Sequence, residues 1–176
     1  MKSYSFLDGS SINVPDDTCR GCYLEEAENL PEELWPIWEN DHFVIRQDAE
    51  CPVPGFYIVA ARQHIHSVGD LSVDQAGMLG IIINRLREHM RRSINVQRLH
   101  IILEERMISP HLHIWLLPLW PETMQQHHID PKVWNSNILE YLMLFRYADN
   151  REKILSFNAA MKAALENDPV LRKLKS

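Results

Sequence analysis

The chain has 176 residues, 24 Asp and Glu against 18 Lys and Arg, nine His and three Cys. That length suits one domain and suffices to bury roughly 70% of the unfolded surface, while 45% apolar and 24% charged residues exclude a disordered tail. The formal charge of −6 excludes a broadly basic nucleic-acid binder, and an odd number of cysteines excludes a fully paired disulfide scaffold.

No apolar run approaches the ~20 residues of a spanning helix, and the N-terminus, MKSYSFLDGSS, lacks a signal-peptide core, so a cytoplasmic protein is expected. Residues 1–40 are turn-rich and acidic, interrupted by Pro15, Pro31 and Pro36. Phe43-Val44-Ile45 reads as a short strand and Phe56 to Ala60 as a stronger one, with a Pro/Gly-containing turn between them. Ser72-x-x-Gln75 is a capping box. Behind it Val73, Ala76, Leu79, Ile82, Leu86 and Met90 recur at three and four residues, predicting a helix to about Arg92. Leu99–Leu103 and Pro110–Leu117 read as strands, Gln125 to His128 as an irregular, exposed segment. Two helices, about Ser136–Tyr147 and Arg151–Leu165, close the chain, the second carrying an apolar stripe of Ile154, Phe157, Met161 and Leu165. Those stripes need a partner surface, so the tail is expected to dock on the sheet or on another subunit.

Two patterns carry chemistry. In His111-Leu112-His113-Ile114-Trp115, strand alternation places His111, His113 and Trp115 on one face, the imidazoles roughly 6.5–7 Å apart. That spacing permits one shared metal or two neighbouring roles, and equally two histidines on a solvated face. Cys19-Arg20-Gly21-Cys22 has the bite of half a tetrahedral zinc site, with His64 and His111 available to complete it; two plain thiols are the alternative. A redox reading would need a strand before the motif and a helix starting at it, and Val14-Pro15-Asp16-Asp17 ahead with Pro31 behind argues against both. Cys51, beside Pro52, reads as an ordinary small residue.

The order of these motifs resembles the histidine triad superfamily of nucleotide hydrolases and galactose-1-phosphate uridylyltransferases. The likeness rests on Cys19-x-x-Cys22, Glu39-Asn40-Asp41 before the first strand, the Pro54-Gly55 turn, the strand ending in Ala61-Arg62-Gln63-His64, an amphipathic helix, and His111-Leu112-His113. It spans about residues 19–118. The resemblance implies an α+β fold: an antiparallel sheet of about five strands, one main amphipathic helix, and two extra C-terminal helices. Residues 1–121 would form the domain, with 122–176 as a helical extension docked on it or on a dimer partner. It also implies a homodimer and a nucleotide or nucleotide conjugate as ligand; the charge and the lack of a spanning run add the expectation of no nucleic acid as main ligand and no membrane partner.

By residue, the resemblance makes His113 the nucleophile on an α-phosphorus, which divides one displacement into two through a nucleotidyl-histidine. Asp48 would hold the ribose hydroxyls. Cys19, Cys22, His64 and His111 would form a structural zinc site. Trp115 stands where the third histidine belongs, and an indole N–H can donate but cannot relay a proton. The residues that usually grip phosphate are replaced by Glu104-Glu105-Arg106-Met107-Ile108-Ser109, whose carboxylates repel polyphosphate and leave Arg106 and Ser109 to help. General acid–base assistance is commonly worth about 10²–10⁴-fold. A catalytically weakened or inactive domain that binds a nucleotide or a protein partner is therefore the second expectation.

Overall fold

The computed structural model of the chain describes residues 2–6, 9–16, 18–105, 110–129, 138–145 and 149–175. A small hairpin of β1 (Lys2–Ser5) and β2 (Ser11–Val14) precedes the short helix α1 (Arg20–Glu26). The main sheet contains β3 (Trp38–Glu39), β4 (Phe43–Gln47), β5 (Tyr57–Ala61), β6 (Arg98–Leu103) and β7 (His113–Leu119). Its order is β3-β4-β5-β7-β6, antiparallel at every pairing. The α+β fold with a five-stranded antiparallel sheet is as the sequence predicts.

Alternation along these strands divides the sheet into two unlike faces. Phe43, Ile45, Tyr57, Val59, Ile114 and Leu116 enter the main core. There they meet α2 (Val73–Ser93), whose buried stripe is Leu79, Ile82, Leu86 and Met90, the periodic residues of the sequence. The predicted capping box closes its N-terminus: Gln75 N–H donates to Ser72 Oγ at 3.2 Å, and Ser72 N–H to Gln75 Oε1 at 2.9 Å.

The C-terminal helices α5 (Arg151–Glu166) and α6 (Pro169–Lys173) join the same core through Met161, Leu165 and Leu171. Asp168 caps α6 by accepting from the Val170 and Leu171 amides, and its buried carboxylate also meets Arg85 and His89 of α2.

On the opposite face a second apolar cluster gathers Val53, Phe56, Leu117 and Met124 with Tyr141, Leu142 and Phe145 of α4 (Ile138–Phe145). The predicted ends of that helix at 136–137 and 146–147 fall outside the described residues. The segment expected to be irregular is partly helical: α3 runs Pro121–Gln126, and His127 and His128 follow in an exposed turn. Pro121 at its first position, followed by Glu122, is a helix-start signal that the polar Gln/His composition obscured. Among the described residues no helix is long and apolar enough to cross a membrane.

Candidate functional site

The sheet's second face carries the site. Cross-strand register aligns Val44, Ala60 and His113 in one row and Arg46, Ile58 and Trp115 in the next. Helix α1 roofs these rows, and the space between, about 150 Å³, is lined by Arg20, Leu24 and Glu25 from the helix and by Asp48, His113 and Trp115 below.

The redox argument from sequence needs correcting on both counts, because β2 ends at Val14 ahead of the CxxC motif and a helix begins at it: Cys19 is its N-cap and Cys22 lies in its first turn. Helix α1 has no fully buried residue, so it is held by specific side-chain contacts. The helix brings both thiols to the two histidines. Cys19 Sγ lies 3.3 Å from His111 Nδ1, Cys22 Sγ 3.2 Å from His64 Nδ1 and 3.7 Å from His111 Nδ1. All four donor atoms fall within 4.8 Å of one another. Tetrahedral coordination with bonds of about 2.3 Å to sulfur and 2.0–2.1 Å to nitrogen separates S and N donors by roughly 3.5 Å, so these residues fit a metal ion. On its other side, the His111 Nε2–H donates to the Ala61 carbonyl at 2.7 Å, which assigns the Nδ1 lone pair to the cluster.

Burial, aided by His64 and His113, draws the His111 pKa below its ordinary value against the pull of the Ala61 carbonyl, keeping the ring neutral. Burial and the adjacent Cys19 push the Cys22 thiol up to about 11, so metal binding is coupled to loss of its proton. His66 stacks edge-on against His64 at 4.7 Å between ring centroids and lies outside the cluster.

Two features of α1 were not legible from sequence. A Cβ on Gly21 would lie 2.5 Å from His111 Cγ, so the His111 ring rests directly on the helix backbone and only glycine fits. Glu25 bridges two arginines, Arg46 Nη2 at 3.1 Å and Arg62 Nε at 2.9 Å, and thereby ties the helix to β4 and to the end of β5. Neither the CxxC spacing nor helical periodicity signals such long-range partners.

His113 opens β7, so the ladder begins there and not at Pro110; His111 precedes the strand and is the buried member of the cluster. His113 Nδ1–H donates to the His111 carbonyl at 2.7 Å, an assigned tautomer that leaves the lone pair on Nε2. Trp115 shares the cleft face with His113, its ring centroid 6.2 Å away, and packs edge-on against Phe56 at 5.5 Å.

Asp48 lies half-buried past the end of β4, its Oδ1 accepting from the Glu50 and Cys51 amides. Burial pushes its carboxyl up to about 6, against the stabilising Cys51 N–H. Cys51 packs at the edge of the second apolar cluster. Arg106 and Ser109 lie outside the described residues. Glu105 is already engaged, accepting from Ser67 Oγ at 2.6 Å and from Val68 N–H at 3.2 Å.

A five-stranded antiparallel sheet with one long helix, and a metal-type cluster beside a histidine-floored cleft, define a compact class of α+β proteins. No family model and no curated protein matches the sequence. Solved structures do match. A zinc-bound histidine triad family protein from Mycobacterium smegmatis superposes with a TM-score of 0.60 at 16% identity, covering 86% of this chain and 98% of that one. A hypothetical histidine triad nucleotide-binding protein from Sulfolobus tokodaii gives 0.60 at 16% identity over 85% and 93% of the two chains. A Hit-like protein involved in cell-cycle regulation from Bartonella henselae gives 0.58 at 13% identity over 86% and 99%. The chain has the histidine triad fold, and its Cys19/Cys22/His64/His111 group could hold a metal.

Proposed function

We propose that the cleft binds a nucleotide or nucleotide conjugate and that His113 attacks its α-phosphorus, making the protein a hydrolase or nucleotidyltransferase of phosphoanhydrides or phosphoramidates. The observation that carries this reading is the Nδ1–H bond from His113 to the His111 carbonyl, which presents the Nε2 lone pair at the cleft floor. A new Nε2–P bond forms as the bond to the leaving group breaks with its electron pair. Water or a second acceptor then cleaves the nucleotidyl-histidine. Asp48 receives the ribose hydroxyls. Cys19, Cys22, His64 and His111 hold zinc in a closed set, a structural role that fixes α1 as the roof of the cleft. The sulfur and nitrogen donors, and the zinc reported in the Mycobacterium smegmatis protein, support that metal. Residues 1–121 are the functional unit and 122–176 its docked extension, and two copies pair as a homodimer.

Incubation with dinucleoside polyphosphates, nucleoside phosphoramidates and sugar nucleotides tests the reading. Turnover is expected, with loss in His113→Ala; turnover untouched by that substitution eliminates His113 as nucleophile.

One observation favours a second reading, a nucleotide-binding domain without turnover. Trp115 is anchored against Phe56 and the second apolar cluster, so its position supplies a packed wall and no proton relay. Nucleotide-induced stabilisation that persists in His113→Ala, with no substrate consumed by the wild type, selects this alternative.

A further inference from the structure

The two neighbours that a dithiol redox motif needs are both present, since β2 ends ahead of Cys19 and α1 starts at it. The metal reading uses the two sulfurs as donors, yet their setting gives them a second chemistry. The sulfurs can reach each other. Cys19 is the N-cap of α1 and Cys22 stands three residues on, a step that helix geometry spans with roughly 5 Å between Cα atoms. A disulfide closes without moving the backbone when that separation is roughly 4.4–6.8 Å. The Sγ atoms themselves already lie within 4.8 Å of one another.

The sulfurs are also accessible, and unequally so. Neither cysteine is fully buried. Cys22 Sγ lies 3.2 Å from His64, the exposed member of the group, whereas Cys19 Sγ lies 3.3 Å from the buried His111. A small oxidant therefore meets Cys22 first. What depends on these sulfurs is the roof of the cleft. Helix α1 has no fully buried residue, so the thiol–imidazole contacts hold it together with the Glu25 bridge and the Arg20–Glu50 pair. A bond from Cys19 to Cys22 closes inside one helical turn and ties α1 to nothing outside itself. Joined sulfurs are no longer thiolate donors, and the four-donor set shrinks to His64 and His111.

We propose that Cys19 and Cys22 form a redox switch, which keeps α1 seated over the cleft when reduced and releases it when oxidised by hydrogen peroxide. The inference rests on the metal reading and is independent of which ligand the cleft takes. The Cys22 thiolate attacks one peroxide oxygen, the O–O bond breaks, and hydroxide leaves a sulfenic acid on Cys22. The Cys19 thiolate then attacks that sulfur, forming the S–S bond as a second hydroxide departs. The sulfur pair has lost two electrons, and the peroxide that gained them leaves as two hydroxides, which take up protons as water. A dithiol reductant reverses the step by exchange. Such a bridge is transient in a reducing compartment, as a sensor requires.

The test uses the full chain, reduced and loaded with zinc, titrated with hydrogen peroxide while a chromophoric chelator reports free metal. Peptide mapping should show a Cys19–Cys22 disulfide appearing in step with zinc release. Amides of residues 20–26 should then exchange about tenfold faster, while those of β4, β5 and β7 hold, and dithiothreitol with added zinc should restore both signals. Zinc retained under excess peroxide overturns the switch and leaves the metal reading intact. So does a disulfide through Cys51, or zinc release without faster exchange in residues 20–26. A reduced protein that takes up no zinc removes the metal reading and the switch together, and the nucleotide reading stands in either case.

Discussion

The two faces of the central sheet are made by the same strands, one residue out of step, yet they are held by different physics. The α2 face is sealed by area: Phe43, Ile45, Val59 and Leu116 against Leu79, Ile82, Leu86 and Met90, with Asp168 as the polar anchor of α6. On the other face α4 and a second apolar cluster cover one part, while the cleft is closed by α1, which has no fully buried residue and depends on two thiols, two imidazoles and the Glu25 bridge. Burial is non-directional and tolerates substitution gradually, whereas a roof held by a few directed contacts fails one contact at a time.

The largest expected effect lies on the first face. Leu86→Ala empties a fully buried site and should cost about 2–5 kcal/mol in urea unfolding, with the metal content of the wild type retained. Loss of the metal in that variant would show that the faces are not separable. Gly21→Ala comes next, at about 1–3 kcal/mol, because Cβ would enter the His111 ring. Unlike Leu86→Ala it should also lower the metal content measured by atomic absorption.

Cys19→Ser should do less to global unfolding than to exchange. Amides of residues 20–26 lose hydrogen-exchange protection while those of β4, β5 and β7 keep theirs. Uniform loss across the sheet would place the metal group inside the main cooperative unit and erase the contrast.

The smallest effect concerns Asp168. Burial alone would raise its carboxyl, but hydrogen bonds from His89, the Leu171 and Val170 amides and Arg85 outweigh that and hold it well below the usual carboxylate range. Since the folded value lies under the unfolded one, its stabilisation is complete above about pH 4 and is lost as pH falls through the folded value. Asp168→Asn should flatten that acid limb and cost about 1 kcal/mol at neutral pH through the weakened cap; an unchanged acid limb would remove Asp168 from the account.

Legibility in the sequence followed the same division. Helix α2 was readable because its capping box and burial stripe are local patterns, and the strands because branched and aromatic residues alternate between faces. The members of the metal-type cluster were also readable, since their residue types and order restrict what they can do. The turn-rich reading of residues 1–40 missed β1, β2 and α1, because a seven-residue helix without a buried stripe has no periodicity to detect. Arg46 and Glu25 were missed for a related reason. Their pairing joins residues 21 positions apart, and an arginine in a strand looks like any solvated position until the helix above it is known.

The spacer of Cys19-Arg20-Gly21-Cys22 has a consequence beyond the bite it sets. One spacer residue faces the cleft and the other is pressed against the His111 ring, so the two positions are not interchangeable. Transposing them, with Arg20→Gly and Gly21→Arg together, preserves composition, charge and cysteine spacing. It would nevertheless drive a side chain into His111 and remove the Arg20 guanidinium from the cleft lining at once. A motif usually written with two blanks is here a word with four fixed letters.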